Sequence, residues 1–172
     1  ETKQALVEGV QRAWAKMQAY LLTPGKATLL FWSNRRWGTL VNLPDGQATR
    51  GFPFVTEDRI LIDERAGYYF YATALPKTLG GGSFYLTGWR DQNEKLFDGT
   101  STYRLRVPKD TPAKDFWSII VYSMKTKGFI EGAPRVGISS KDMGKMKVNA
   151  DGSADVYFAP KAPAGLESNW IP

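Results

Sequence analysis

Two consecutive runs decide the fold: Asp98-Gly99-Thr100-Ser101-Thr102-Tyr103-Arg104-Leu105-Arg106-Val107-Pro108, then Phe116-Trp117-Ser118-Ile119-Ile120-Val121-Tyr122. In the first, Tyr103, Leu105 and Val107 fall on one face and Thr102, Arg104 and Arg106 on the other. That period of two marks a half-buried strand. The second run is apolar at nearly every position, which predicts a strand buried on both faces at the centre of a sheet. Trp117, Ile119 and Val121, with Tyr103 and Leu105, are therefore the expected core. Asp98-Gly99 supplies a turn, and the segment from Pro108 to Pro112 breaks the chain between the strands. A half-wet strand leading into a dry one belongs to a sandwich or a jelly roll.

Working downstream, Val136 to Ile138 reads as a short strand, and Met146 to Val148 and Ala154 to Phe158 flank the turn Asn149-Ala150-Asp151-Gly152. Upstream, Ser83 to Trp89 reads as a strand, and Asp91-Gln92-Asn93-Glu94-Lys95 as a polar turn into the Asp98 strand. Gly80-Gly81-Gly82 is a joint, and the best internal boundary. It is no phosphate loop, because the glycine spacing is wrong and no Gly-Lys-Ser/Thr follows.

The N-terminal part reads differently. Leu6, Val10, Ala13, Trp14, Met17, Tyr20 and Leu21 recur at helical spacing, so a helix is predicted over 3–21, stopped by Thr23-Pro24-Gly25. Trp32 should be buried in a short amphipathic segment, and Pro44-Asp45-Gly46 marks a loop. Thr56-Glu57-Asp58 has the chemistry of a helix start, with a capping hydroxyl ahead of acids, and predicts a helix through Ala74. The fold class is thus α+β: N-terminal helices (1–80) packed on an antiparallel jelly-roll-like β-sandwich (81–172).

Composition narrows the chemistry. The chain has no cysteine and no histidine. Disulfides, thiolate metal sites and every serine–histidine triad within these residues are excluded, and zinc is disfavoured. No cofactor or metal is expected. Lysine and arginine outnumber the acids 23 to 17, a net charge of +6, but the basic residues are scattered and Arg35-Arg36 is the one adjacent pair. A mildly basic surface follows, with no nucleic-acid partner expected. No apolar run approaches the ~20 residues of a transmembrane helix.

Several blocks resemble the bacterial domain of unknown function 1214. They are Asp91 through Gly99, Tyr103-Arg104-Leu105 with Pro108, Phe116-Trp117-Ser118 with Val121-Tyr122, and Asp151-Gly152-Ser153. Pro163 with Gly165 and the closing Ser168-Asn169-Trp170-Ile171-Pro172 complete the set. In that family the domain commonly follows a companion, domain of unknown function 1254. The resemblance implies a jelly-roll-like sandwich, often in exported or envelope-associated proteins, and no agreed reaction. A periplasmic or secreted address is the expectation. The family usually continues beyond the equivalent of Pro172, which predicts an open edge or apolar groove near Asn169-Trp170-Ile171. The helix stripe Leu6, Val10 and Trp14 is expected to cover it. A homo-oligomer, or a companion domain of a longer chain, is the other way to close it.

Site residues are drawn from the aromatics. Tyr85, Thr87 and Trp89 share one strand face, Arg90 stands beside them to orient an anionic group, and Trp37 lies in a polar–aromatic stretch. Tyr85, Trp89, Arg90 and Trp37 together suit a saccharide or another small flat ligand. Asp91, Asn93 and Asp98 have oxygens for calcium, but these are the usual turn residues. Asp58, Asp63, Glu64 and Asp91 are candidate carboxylates for glycoside chemistry, against their commoner role at helix starts and surfaces. The expected function is non-catalytic: a ligand-binding or assembly module of an exported bacterial protein. The alternative is a carboxylate-based hydrolase or lyase acting on a saccharide.

Overall fold

The computed structural model describes residues 2–23, 32–38, 54–63, 65–66 and 85–172. The chain divides into two compact units, Glu1–Leu96 and Phe97–Pro172. The class is α+β.

In the N-terminal unit, helix α1 spans Thr2–Leu22, as the helical period required. The Thr23 N–H and hydroxyl both donate to the Ala19 carbonyl (3.0 and 2.6 Å), satisfying one acceptor that the helix end would otherwise leave open. The stripe is buried only at Met17 and Leu21. Leu6 and Val10 are about two-thirds exposed and Trp14 is also exposed, where the helical stripe was expected to be buried. Lys16 pairs with Asp63 at 2.8 Å.

Thr56-Glu57-Asp58 does not start a helix. Val55 bridges Ile60, the Thr56 N–H donates to the Arg59 carbonyl (2.9 Å), and the Thr56 hydroxyl donates to Asp58 (2.7 Å), so the three residues form a tight turn. A capping hydroxyl with adjacent acids serves a turn as well as a helix start, because both leave N–H groups unpaired. Helical backbone is seen at Ile62 and Asp63 and again at Arg65 and Ala66. The rest of the helix expected to Ala74, the Gly80-Gly81-Gly82 joint and the Pro44-Asp45-Gly46 loop lie outside the described residues. Trp32 is about half exposed, not buried.

Strands β1 (Trp37–Gly38) and β2 (Thr87–Gly88) pair antiparallel, Trp37 with Gly88 and Gly38 with Thr87.

The C-terminal unit holds a three-stranded and a two-stranded sheet. Strand β3 (Tyr103–Val107) pairs antiparallel with β6 (Ala154–Phe158) over all five residues, from Tyr103–Phe158 to Val107–Ala154. On its other edge β6 pairs with β7 (Trp170–Ile171), and this pairing is parallel. The sheet is therefore mixed, where an antiparallel one was expected. A short 3₁₀ turn, Glu167–Asn169, delivers the chain to β7 in that direction. Strands β4 (Ser118–Ile120) and β5 (Gly137–Ser139) form the second, antiparallel sheet. Gly137 is required there: a Cβ would run into the Ile119 carbonyl. Val148 makes one isolated bridge to Ala154, so the expected strand Met146 to Val148 does not form among the described residues.

Val107, Ile138, Met146, Ala154, Val156 and Ile171 build one core, with Leu105, Trp117, Ile119, Val121, Met143 and Phe158 packed against it. Both sheets feed it. Strand β3 alternates as its period predicts. Strand β4 is a correction: Ser118 and Ile120 are exposed and Ile119 is only half buried, as are Trp117 and Val121. The centre is β6, where Ala154, Asp155 and Val156 are all buried.

Candidate ligand-binding site

The four aromatic and basic residues singled out above all belong to the N-terminal unit. Trp37 sits opposite Gly88, and the position a Gly88 Cβ would take lies 3.2 Å from the Trp37 ring. The missing side chain makes room for the indole, which is half buried. Thr87 belongs to the other side of the pair. Tyr85 and Trp89 lie outside the two paired residues of β2. Tyr85 is the most open, at 74% exposure, and Trp89 is half buried.

Arg90 has structural partners. Its Nη1 donates to the Glu94 carbonyl at 2.7 Å and its Nη2 to the Leu22 carbonyl at 3.2 Å. The second contact places a cation on the C-terminal end of α1, where the helix dipole favours it. Glu94 in turn pairs with Arg36.

The carboxylates are engaged locally. One Asp91 oxygen accepts the N–H groups of Asn93 (2.8 Å) and Lys95 (3.0 Å), holding a hairpin closed by the Arg90–Leu96 bridge. Asp58 accepts the Thr56 hydroxyl, which lowers its pKa. Asp63 is paired with Lys16, and Glu64 lies outside the described residues. Asp98, in the C-terminal unit, accepts the Thr100 and Ser101 hydroxyls, the Thr100 N–H and the Tyr103 hydroxyl. These donors, the Thr100 hydroxyl foremost, hold its carboxyl far below the usual range. Among the described residues no group of three or more acidic side chains is placed to hold a metal ion.

Sequence reasoning missed the polar clasp of the C-terminal unit. Asn169, nearly fully buried, accepts the Lys147 N–H (2.8 Å) and donates to the carbonyls of Lys147 (2.8 Å) and Asp155 (2.9 Å). Trp170 Nε1 donates to the Ala159 carbonyl at 2.8 Å, and Arg135 donates to the carbonyls of Ser168 and Trp170. Ile171 is fully buried and Trp170 partly so. The block expected to leave an open edge or an apolar groove is held by this clasp, with β7 as the edge strand of its sheet. The signal was an amide between polar and aromatic neighbours, a residue type that can donate and accept at once.

Fold and side chains together define an α+β protein whose C-terminal unit packs two sheets on one core. Residues 82–172 match the family described as protein of unknown function (DUF1214). That is just over half of the chain, and the chain belongs to this family. No curated protein matches it.

Proposed function

We propose that this chain is a non-catalytic ligand-binding or assembly module of an exported bacterial protein, periplasmic or secreted. The observation that supports this reading is how the polar groups are used. Asp58, Asp63 and Asp91, the described candidates for acid–base work, are committed to a turn, an ion pair and a hairpin. Meanwhile Tyr85 stands open, and Trp89 and Trp37 are half buried. Aromatic faces with few polar groups suit a saccharide or another flat small molecule, the ring supplying contact area and neighbouring donors the orientation. In this reading the two sheets of the C-terminal unit are the layers of a jelly-roll-like sandwich, with residues 81–172 as its domain, and an oligomer or a companion domain provides the assembly partner.

Calorimetric titration of the chain with a panel of soluble oligosaccharides tests the reading. Binding of one saccharide class, weakened at least tenfold by Tyr85→Ala or Trp89→Ala, is the expected result. Cleavage of a bound saccharide would instead favour the carboxylate-based hydrolase or lyase. No binding by any member would remove the saccharide reading.

A further inference from the structure

The apolar stripe of α1 meets two different fates along one helix. At about 3.6 residues per turn, Leu6, Val10, Ala13, Trp14, Met17 and Leu21 lie within about 60° of Val10 around the axis. Met17 and Leu21 are buried in the N-terminal unit. Every residue from Thr2 to Lys16 is exposed, the stripe included, with Leu6 at 66% and Val10 at 69%. The stripe thus continues uncovered for about four turns. A helical segment of about 15 residues is marginal in water unless its amphipathic face is packed.

The charges on α1 are Lys3, Glu8, Arg12 and Lys16, and Glu1 precedes it. Glu8 and Arg12 fall about 160° from Val10, on the back of the helix, and pair with each other at 3.7 Å. Lys16 pairs with Asp63 at 2.8 Å. One flank of the stripe is neutral, with Gln4, Gln11 and Gln18 at heptad spacing; the other carries Thr2, Gly9 and the paired Lys16. Lys3 stands at the N-terminal end of the stripe itself.

We propose that the uncovered stripe packs against the same stripe of a second copy, the two helices running antiparallel about Val10. Leu6 of each copy then meets Trp14 of the other, and Val10 meets Val10. The two Lys3 side chains are held at opposite ends of the pair, each level with Met17 of the other copy. A parallel pair would set Lys3 against Lys3. The antiparallel two-fold brings glutamine flank to glutamine flank, amides that donate and accept, and opposes no like charges. A bilayer fits less well. Interfacial helices carry lysines and arginines on a polar face turned to anionic lipid, and here Arg12 and Lys16 are already answered by Glu8 and Asp63. The inference rests on the assembly half of the function proposed above and names its partner and surface.

Sedimentation of the full chain across a concentration series, with single cysteines introduced for crosslinking, tests this. A concentration-dependent dimer is expected. Val10→Asp acts twice in a two-fold pair and should weaken the dimer about a hundredfold or more. Ala15→Glu, on the back of the helix, should leave it unchanged. The chain has no cysteine of its own, so Val10→Cys should give an intermolecular disulfide under a mild oxidant. Leu6→Cys should not, because antiparallel pairing sets the two positions about 12 Å apart along the axis. A monomer at every concentration, a dimer that Val10→Asp leaves intact, a disulfide formed as readily at Leu6→Cys as at Val10→Cys, or a monomer that partitions onto anionic vesicles would each overturn the proposal. Saccharide titration reads Tyr85 and Trp89 instead, so its failure and the failure of pairing are told apart.

Discussion

Strands β4 and β6 invert the order that their compositions suggest. β4 lies in the most apolar run of the C-terminal unit, yet among the described residues it pairs with β5 alone and leaves Ser118 and Ile120 exposed. β6 reads Ala-Asp-Val-Tyr-Phe, with a charge near its start, yet its first three residues are buried. It has β3 on one edge and β7 on the other, which β4 lacks. Its charge is answered as well: Arg106, directly opposite Asp155, donates from Nε (2.8 Å) and Nη2 (3.0 Å) to the two carboxylate oxygens. A strand becomes central when neighbours occupy both its edges and cover both its faces. Apolar residues lower the cost of that position but do not assign it.

The largest expected effect lies in the clasp that fixes β6 and β7. Asn169→Leu keeps the volume but strands the N–H and C=O of Lys147 and takes a donor from the Asp155 carbonyl. At ~1–3 kcal/mol for each buried group left unpaired, the loss should be about 3 kcal/mol in denaturant unfolding. A loss below ~1 kcal/mol would mean that water replaces the amide and the clasp is dispensable.

Next in size is a direct contest between the two strands. Val156, with no exposure, should cost ~2 kcal/mol on truncation to Ala through lost burial and the cavity left behind. Ile120→Ala, at a position 40% exposed, should cost ~0.5 kcal/mol or less. Equal losses at the two sites would restore β4 to the centre of the sheet.

The smallest effect concerns the charge inside β6. Arg106 holds the Asp155 carboxyl below its ordinary value, against the opposing pull of burial. A depressed folded pKa stabilises above the unfolded value of ~3.9, and that contribution drains away as pH falls through the lowered one. Melting temperature should accordingly be insensitive to Asp155 near neutrality and fall in acid below about pH 4. Asp155→Asn, less stable at neutral pH, should show a shallower acid decline. A parallel decline in both proteins would assign acid lability to other carboxylates, such as Asp98, Asp142 and Asp151, whose pKa values are also lowered.

Periodicity made some of this legible. The spacing of Leu6, Val10, Met17 and Leu21 located α1 nearly to the residue, and the alternation from Thr102 to Val107 located β3 and its wet face. Both are local patterns, repeated within one element. The Asn149–Gly152 turn was legible too, because Gly152 takes a positive φ that few other residues tolerate. Tyr85, Trp89, Arg90 and Trp37 were chosen by chemical type, and type does not reveal partners. Arg90 is held by two carbonyls, one of them 68 residues away in sequence. The exposure of Phe116, Ile120, Tyr122 and Phe129 was hidden for a related reason: an apolar run reads the same whether one face is covered or two.

By itself the sequence determined the α+β class, the first helix, the half-buried strand and its turns, and chemistry without thiol or imidazole. Each follows from backbone sterics, side-chain period or elemental inventory, which need no distant partner. Tertiary structure decided the rest: which strand is central, that β7 runs parallel to β6, that Asn169 is a clasp, and that Phe116, Ile120, Tyr122 and Phe129 face outward. Those outcomes depend on contacts between residues far apart in the chain, where burial and hydrogen-bond satisfaction are settled by the set of neighbours, not by any one segment's composition.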